Sequence, residues 1–256
     1  MKDRTLIFYK KREGLSSTFK ILEPILQKAT AHKTNRLLHR SGTVDSFREY
    51  DDFYIPTDCT ALDLFSTSLA VATTKGFEVL NLDKKNPWTV PDLKAPHVAT
   101  IAARLRDMEP LAMFKHGGSD VTPTSANANA SSPAAAGNGG GGEFLCVYEE
   151  CAVYINKHGD ISRSVVLEFV GKAKRAALED GYLVLFDEDF VEVRDALNGR
   201  LKQVVAGRDV RWLDGGRGGI GGSGGEKRSV KFALQHPEME RTQIVVELVL
   251  NEGKRH

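Results

Sequence analysis

An all-β fold is what this sequence predicts, and three observations carry that expectation. One strand–turn–strand unit recurs along the chain, its copies lie near 40 residues apart, and only one short stretch has helical periodicity.

The unit is a short apolar run, a turn, and a second run rich in β-branched or aromatic residues. It first reads Leu6-Ile-Phe-Tyr9 with Phe19-Lys-Ile-Leu22, then Leu69-Ala-Val-Ala72, the turn Thr74-Lys75-Gly76 and Phe77-Glu-Val-Leu80. A third copy is Phe144-Leu-Cys-Val-Tyr148, Glu149-Glu150 and Cys151-Ala-Val-Tyr-Ile155; a fourth is Tyr182-Leu-Val-Leu-Phe186, Asp187-Glu188-Asp189 and Phe190-Val-Glu-Val193. A weaker fifth pairs Val230–Leu234 with Gln243–Val249. Ala152 and Phe190 are 38 residues apart; Phe77 and Ala152 are 75 apart, or about 49 without the 26-residue tract between Gly117 and Gly142. Further strands fill the intervals at Ala61–Phe65, Ser164–Phe169 and Leu201–Val205. Four short strands in a period near 40 describe a β-propeller blade. Without its inserts the chain keeps about 190 residues, enough for about five blades. One short helix is expected within His97–Met108, where Val98, Ile101, Ala102 and Leu105 share a face and Pro110 ends it.

Three inserts interrupt the pattern, at about 26–50, 117–142 and 214–226. The second and third are Gly-, Ser- and Ala-rich and cannot bury enough apolar surface to offset their ordering entropy, so flexible loops are expected there. The first is basic at its start and acidic near Glu49, Asp51 and Asp52.

Composition excludes several functions. With 41% hydrophobic residues the chain can bury a core, and 35 Lys and Arg against 34 Asp and Glu give no polyanion-binding excess, so no nucleic-acid partner is expected. Three cysteines without a CxxC pair suit neither a disulfide framework nor a zinc site. Met1–Thr5 does not open a signal peptide and no apolar run approaches membrane-spanning length, so a cytoplasmic protein is expected.

Particular stretches resemble the citron homology (CNH) domain family. Pro110-Leu-Ala-Met-Phe114, followed past the insert by Phe144-Leu-Cys-Val-Tyr-Glu-Glu-Cys-Ala-Val-Tyr-Ile-Asn-Lys-His-Gly159, is similar to that family's most distinctive strand pair. Tyr182–Phe186, Phe190–Arg194 and Gly207–Leu213 resemble its next blade, and Leu69–Leu80 an earlier one. The resemblance spans about Leu6 to Leu213 and is nearest to the C-terminal domain of fungal Rho guanine nucleotide exchange factors. It implies about five blades of a seven-bladed ring, with residues 1–256 forming one domain truncated at its N-terminus. It also implies a non-catalytic regulatory module that binds a Rho-family GTPase or other protein domains, with peripheral association at the plasma membrane through the parent and exchange activity outside this chain. A citron homology domain of a Ste20-type kinase or a vacuolar tethering protein fits the same residues.

No motif supplies chemistry. Gly216–Gly221 matches GxGxxG, but a strand follows where a dinucleotide site needs a helix, so no cofactor is expected. Asp187–Asp189 reads as a solvated hairpin tip and not as a metal site. A propeller enzyme would need inward acids or histidines, whereas the strands taken as innermost start with Phe, Tyr or Leu. No catalytic or metal residues are therefore assigned. The candidate partner-binding residues are Lys28, Lys33, Arg36 and Arg40 in the first insert, and Arg194, Arg208 and Arg211 near blade ends.

Overall fold

A computed structural model describes residues 6–13, 16–25, 46–65, 68–82, 86–116, 142–215 and 229–250. The described residues form eighteen strands in five antiparallel sheets, with one short helix.

The first sheet is a compact unit of its own, within residues 1–59. It orders β1 (Ile7–Glu13), β2 (Ser16–Pro24) and β3 (Phe47–Ile55) as a meander. Strand β2 alternates strictly, burying Ser17, Phe19 and Ile21, and Phe19 stacks on Phe53 with ring centroids 4.8 Å apart. Strand β3 corrects the first insert, whose C-terminal limit falls before Phe47 and not at Tyr50. The run Phe-Arg-Glu-Tyr-Asp-Asp hides its strand character behind charge. Those charges pair across the strands, Arg48 with Glu23 at 2.6 Å and Glu49 with Lys20, which is what a solvated outer strand requires.

Residues 60–256 form the second unit. Its sheets are β4 (Cys59–Leu64), β5 (Ser68–Thr73), β6 (Gly76–Asn81), β7 (Pro87–Val90); β8 (Pro110–His116), β9 (Glu143–Tyr148), β10 (Cys151–Ile155), β11 (Leu167–Glu168); β12 (Arg175–Glu179), β13 (Tyr182–Phe186), β14 (Phe190–Asp195), β15 (Leu201–Ala206); and β16 (Arg211–Gly215), β17 (Val230–Gln235), β18 (Gln243–Leu248). Each follows chain order, as short connections between sequential strands dictate.

Why these runs are apolar without alternation follows from the stacking of the sheets. Side chains of a strand point alternately to opposite faces. Along β9, Phe144, Cys146 and Tyr148 join Phe77 and Val79 of the preceding sheet, while Leu145 and Val147 join Leu183 and Leu185 of the following one. Along β13, Leu183 and Leu185 face back while Val184 and Phe186 meet Phe232 and Leu234. Edge-to-face ring pairs fix these layers: Phe65 on Phe144 at 5.2 Å, Phe77 on Tyr148 at 5.6 Å and Phe186 on Phe232 at 5.8 Å. Both faces of β9 and β13 are covered, which is why their sequences are apolar throughout.

The second and third inserts separate strands that pair directly. His116 sits opposite Glu143 and Gly215 opposite Val230, so each insert leaves from a hairpin end. Gly215 itself belongs to β16, which moves the third insert's start beyond it. At the β12–β13 hairpin, Asp180 (φ 48°) and Gly181 (φ 79°) make the two-residue left-handed turn whose twist matches its strands. The helix is shorter than expected: a 3-10 turn (Pro96–Val98) leads into α1 (Ala99–Leu105), which buries Leu105 against the core. No helix among the described residues is long and apolar enough to cross a membrane.

Candidate functional site

The strand that starts each sheet of the second unit lines a common channel. Residues of β4, β8, β12 and β16 enclose a cavity of about 430 Å³ walled by Ala61, Leu62, Leu111, Phe114, Ala177 and Leu213 among others. This corrects the sequence expectation. The runs that begin with Phe, Tyr or Leu are the second strands, β9 and β13; the innermost ones open on Cys59, Pro110, Arg175 and Arg211. Two carboxylates, Asp63 and Asp214, therefore do line the channel. Asp63 is buried, and its Oδ2 accepts the Met113 N–H at 2.8 Å, which ties β4 to β8.

At the end where these strands begin, the channel opens into a mouth lined by Lys174, Arg175, Arg211, Trp212, Glu109 and Glu149. Trp212 is 43% exposed. Asp209, held in a left-handed conformation (φ 52°), clamps the Arg211 guanidinium at 3.1 Å to Nε and 3.0 Å to Nη2. Gln243 also donates to Asp209, at 3.0 Å. Glu149 is engaged by Lys172 at 2.7 Å, and that hydrogen bond raises the lysine pKa above its ordinary value. Arg175 donates to the Lys174 carbonyl at 3.0 Å, and among the described residues no carboxylate pairs with the Lys174 or Arg175 charge.

Acidic turns flank this mouth. Glu149-Glu150 joins β9 to β10, and Asp187-Glu188-Asp189 joins β13 to β14. Both are anchored: Asp187 accepts the Lys172 N–H at 2.9 Å and the Asp189 N–H at 3.2 Å, Glu149 accepts the Ala173 N–H through its carbonyl, and Glu188 accepts that of Val210. Asp187–Asp189 is thus the hairpin tip expected, with one carboxylate ordering backbone. Among the described residues no group of three His, Cys, Asp or Glu could hold a metal.

Of the candidate arginines, Arg211 reaches the mouth, and Arg208 lies exposed on the loop leading to it. Lys28, Lys33, Arg36 and Arg40 lie outside the described residues. Arg194 is corrected: it is only 8% exposed and serves the interior. Its Nε donates to Glu192 at 2.6 Å and its Nη1 to the Gly199 carbonyl at 2.9 Å, and its guanidinium lies 5.9 Å from the Phe169 ring centroid. Glu192, 2% exposed, also takes the N–H groups of Val170 and Gly171 at 2.9 and 3.0 Å. Opposite charges two residues apart share one face of a strand, and that spacing was the available signal. Sequence reasoning missed Lys174, Arg175 and Trp212 as mouth residues, because Arg175-Ala-Ala-Leu-Glu179 is not a β-prone string.

A second polar cluster lies at the opposite end of the third and fourth sheets. Arg163 pairs with Glu143, lies 3.6 Å over the Tyr154 ring and donates to the Leu197 carbonyl at 3.0 Å. Tyr154 donates to the Ala196 carbonyl and packs against His116 at 5.1 Å, and burial pushes its phenol up to about 12.

The chain has relatives of known family. A CNH domain family model matches residues 1–216. "Rho1 guanine nucleotide exchange factor 3" of Schizosaccharomyces pombe is 25% identical over 254 residues, covering 99% of this chain and 18% of that protein. "Rho1 guanine nucleotide exchange factor 1" of the same organism is 29% identical over 259 residues, covering 99% and 17%. The chain thus spans less than a fifth of these relatives' length. The solved "AfRom2 CNH domain" superposes with a TM-score of 0.66 at 20% identity, over 96% of this chain and 62% of that one. That likeness, with the five antiparallel sheets, makes the fold a β-propeller.

Proposed function

The chain belongs to the CNH domain family, and from that premise we propose that it is the non-catalytic regulatory module of a Rho guanine nucleotide exchange factor. It binds a Rho-family GTPase or other domains of its parent, in cytoplasmic signalling complexes that reach the plasma membrane through the parent. The observation that carries this reading is the match to Rho1 exchange factors along 99% of the chain. The propeller supports it physically. Its sheets bury their faces in one another, which leaves loops and strand ends to meet a partner. Exchange then belongs to domains outside these residues.

Calorimetry with purified Rho-family GTPases tests the reading. The expected result is saturable binding with no acceleration of release of a fluorescent guanine nucleotide. Catalysed release by this chain alone, or no binding to any Rho-family GTPase and to no other segment of the parent, overturns it.

A further inference from the structure

We propose that the channel mouth is a docking site for an extended acidic peptide segment of a partner protein, with an apolar side chain set against Trp212 and pointing into the channel. The inference rests on the reading of the chain as an interaction module and gives that module an address.

Three features of the mouth define the occupant. Lys174 and Arg175 carry charges that no described carboxylate neutralises, and Arg211 is fixed beside them by Asp209. An anionic ligand therefore meets cations of which one is already oriented, so less side-chain entropy is lost on binding. Trp212, nearly half exposed, offers a rigid amphipathic ring of the kind that anchors interfaces. Below it the channel is walled by Ala61, Leu111 and Phe114 and has room for one or two apolar side chains.

The surroundings choose the shape of the ligand. Glu109 and Glu149 share the mouth, and the turn Asp187–Asp189 adjoins it, its Glu188 carbonyl accepting the N–H of the mouth residue Val210. A broad anionic surface such as a bilayer would meet those acids too and be repelled, whereas a single extended chain can place its carboxylates on Lys174 and Arg175 alone. Repulsion by these acids beside attraction by the cations selects against the wrong partner as much as for the right one.

The test is an array of random twelve-residue peptides probed with the full chain and with its K174E/R175E and W212A variants, each shown to be folded by circular dichroism. Peptides retained by the unaltered chain are expected to be rich in Asp and Glu around one aromatic or aliphatic residue. Their affinity, read by anisotropy of labelled peptide, should fall at least tenfold in either variant and several-fold on raising salt from 0.05 to 0.5 M. Lys202→Glu, on the outer strand of the fourth sheet, should leave it unchanged. No retained peptides, no acidic bias, or equal affinity for the folded K174E/R175E variant overturns the site. GTPase capture run in parallel separates the two readings. Capture without acidic-peptide binding refutes the site and keeps the function, while acidic-peptide binding without capture keeps the site and refutes the GTPase as partner.

Discussion

Replacing Arg194 by alanine separates an internal strut from a surface contact. The substitution removes the only cation within hydrogen-bonding distance of Glu192 among the described residues, a carboxylate that is 2% exposed in the unaltered chain. Removing one partner of a buried pair costs about 3–5 kcal/mol, because the other charge stays behind uncompensated. Glu192 keeps two backbone donors, Val170 and Gly171, so the lower end of that range, about 3 kcal/mol, applies here. For a domain of this size a loss of about 1 kcal/mol lowers the midpoint by about 2–4 °C, so the variant should melt about 6–12 °C below the unaltered chain.

Urea unfolding followed by circular dichroism measures the loss directly, and a thermal scan checks the midpoint. The double substitution Glu192→Gln with Arg194→Met restores much of the stability, because no unpaired charge remains. Peptide and GTPase affinity, measured below the transition, should not change. A loss under about 0.5 kcal/mol, the size expected of an ordinary exposed residue, together with weakened partner binding, would refute the assignment and return Arg194 to the surface.

Other consequences follow from the same geometry. Phe144→Ala, at a fully buried ring packed edge-on against Phe65, should cost about 3–5 kcal/mol in urea unfolding. Replacing residues 118–141 by a four-residue linker should keep the His116–Glu143 hairpin and raise stability by about 1.3 kcal/mol through cheaper loop closure, with unchanged circular dichroism. Acid should loosen the junction of the third and fourth sheets. Burial and then Arg163 lower the His116 pKa, while Glu143 is lowered because its hydrogen bonds from Arg163 and Ser162 outweigh its burial. Both groups bind protons more tightly when unfolded, so their contribution is present above the unfolded values near 6.5 and 4.5 and is lost as pH falls through the lower folded ones. Stability of the unaltered chain should therefore decline faster below pH 6.5 than that of His116→Phe, and equal slopes would count against the assignment.

The middle strands were legible, as were β4 and β8 of the innermost ones, whereas β12 and β16 were not, for one physical reason. Phe144–Tyr148, Cys151–Ile155 and Tyr182–Phe186 are covered on both faces, so their apolar runs declare them. The resemblance that they carried, together with Pro110–Phe114, is borne out by the family match over residues 1–216. Strands β12 and β16 belong to the sheet by pairing, not propensity: Arg175-Ala-Ala-Leu-Glu and Arg-Trp-Leu-Asp-Gly form strands because β13 and β17 present them a ladder. Their small or polar residues face a narrow channel, where Ala61, Ala112, Ala176 and Ala177 leave the space that larger side chains would fill. The site inherits this obscurity, since the mouth is made where β8, β12 and β16 start. Arg211 was found by its charge; Lys174, Arg175 and Trp212 depend on neighbours distant in sequence.

The division between the two ends of the channel strands follows from chain economy. Strands β8 and β16 connect to their sheet partners β9 and β17 through the two Gly-rich inserts, from His116 and Gly215. Around their opposite ends, at Pro110 and Arg211, several carboxylates are already engaged: Asp187 on two backbone donors, Glu149 on Lys172, Asp209 on Arg211 and Gln243. Groups fixed before binding lose less entropy when a partner arrives. A rigid module that works by contact gains most from an end where several carboxylates are already engaged and cations stay available to a partner. Lys174 and Arg175 are those cations, and their reversal should be felt by a partner and hardly by the fold.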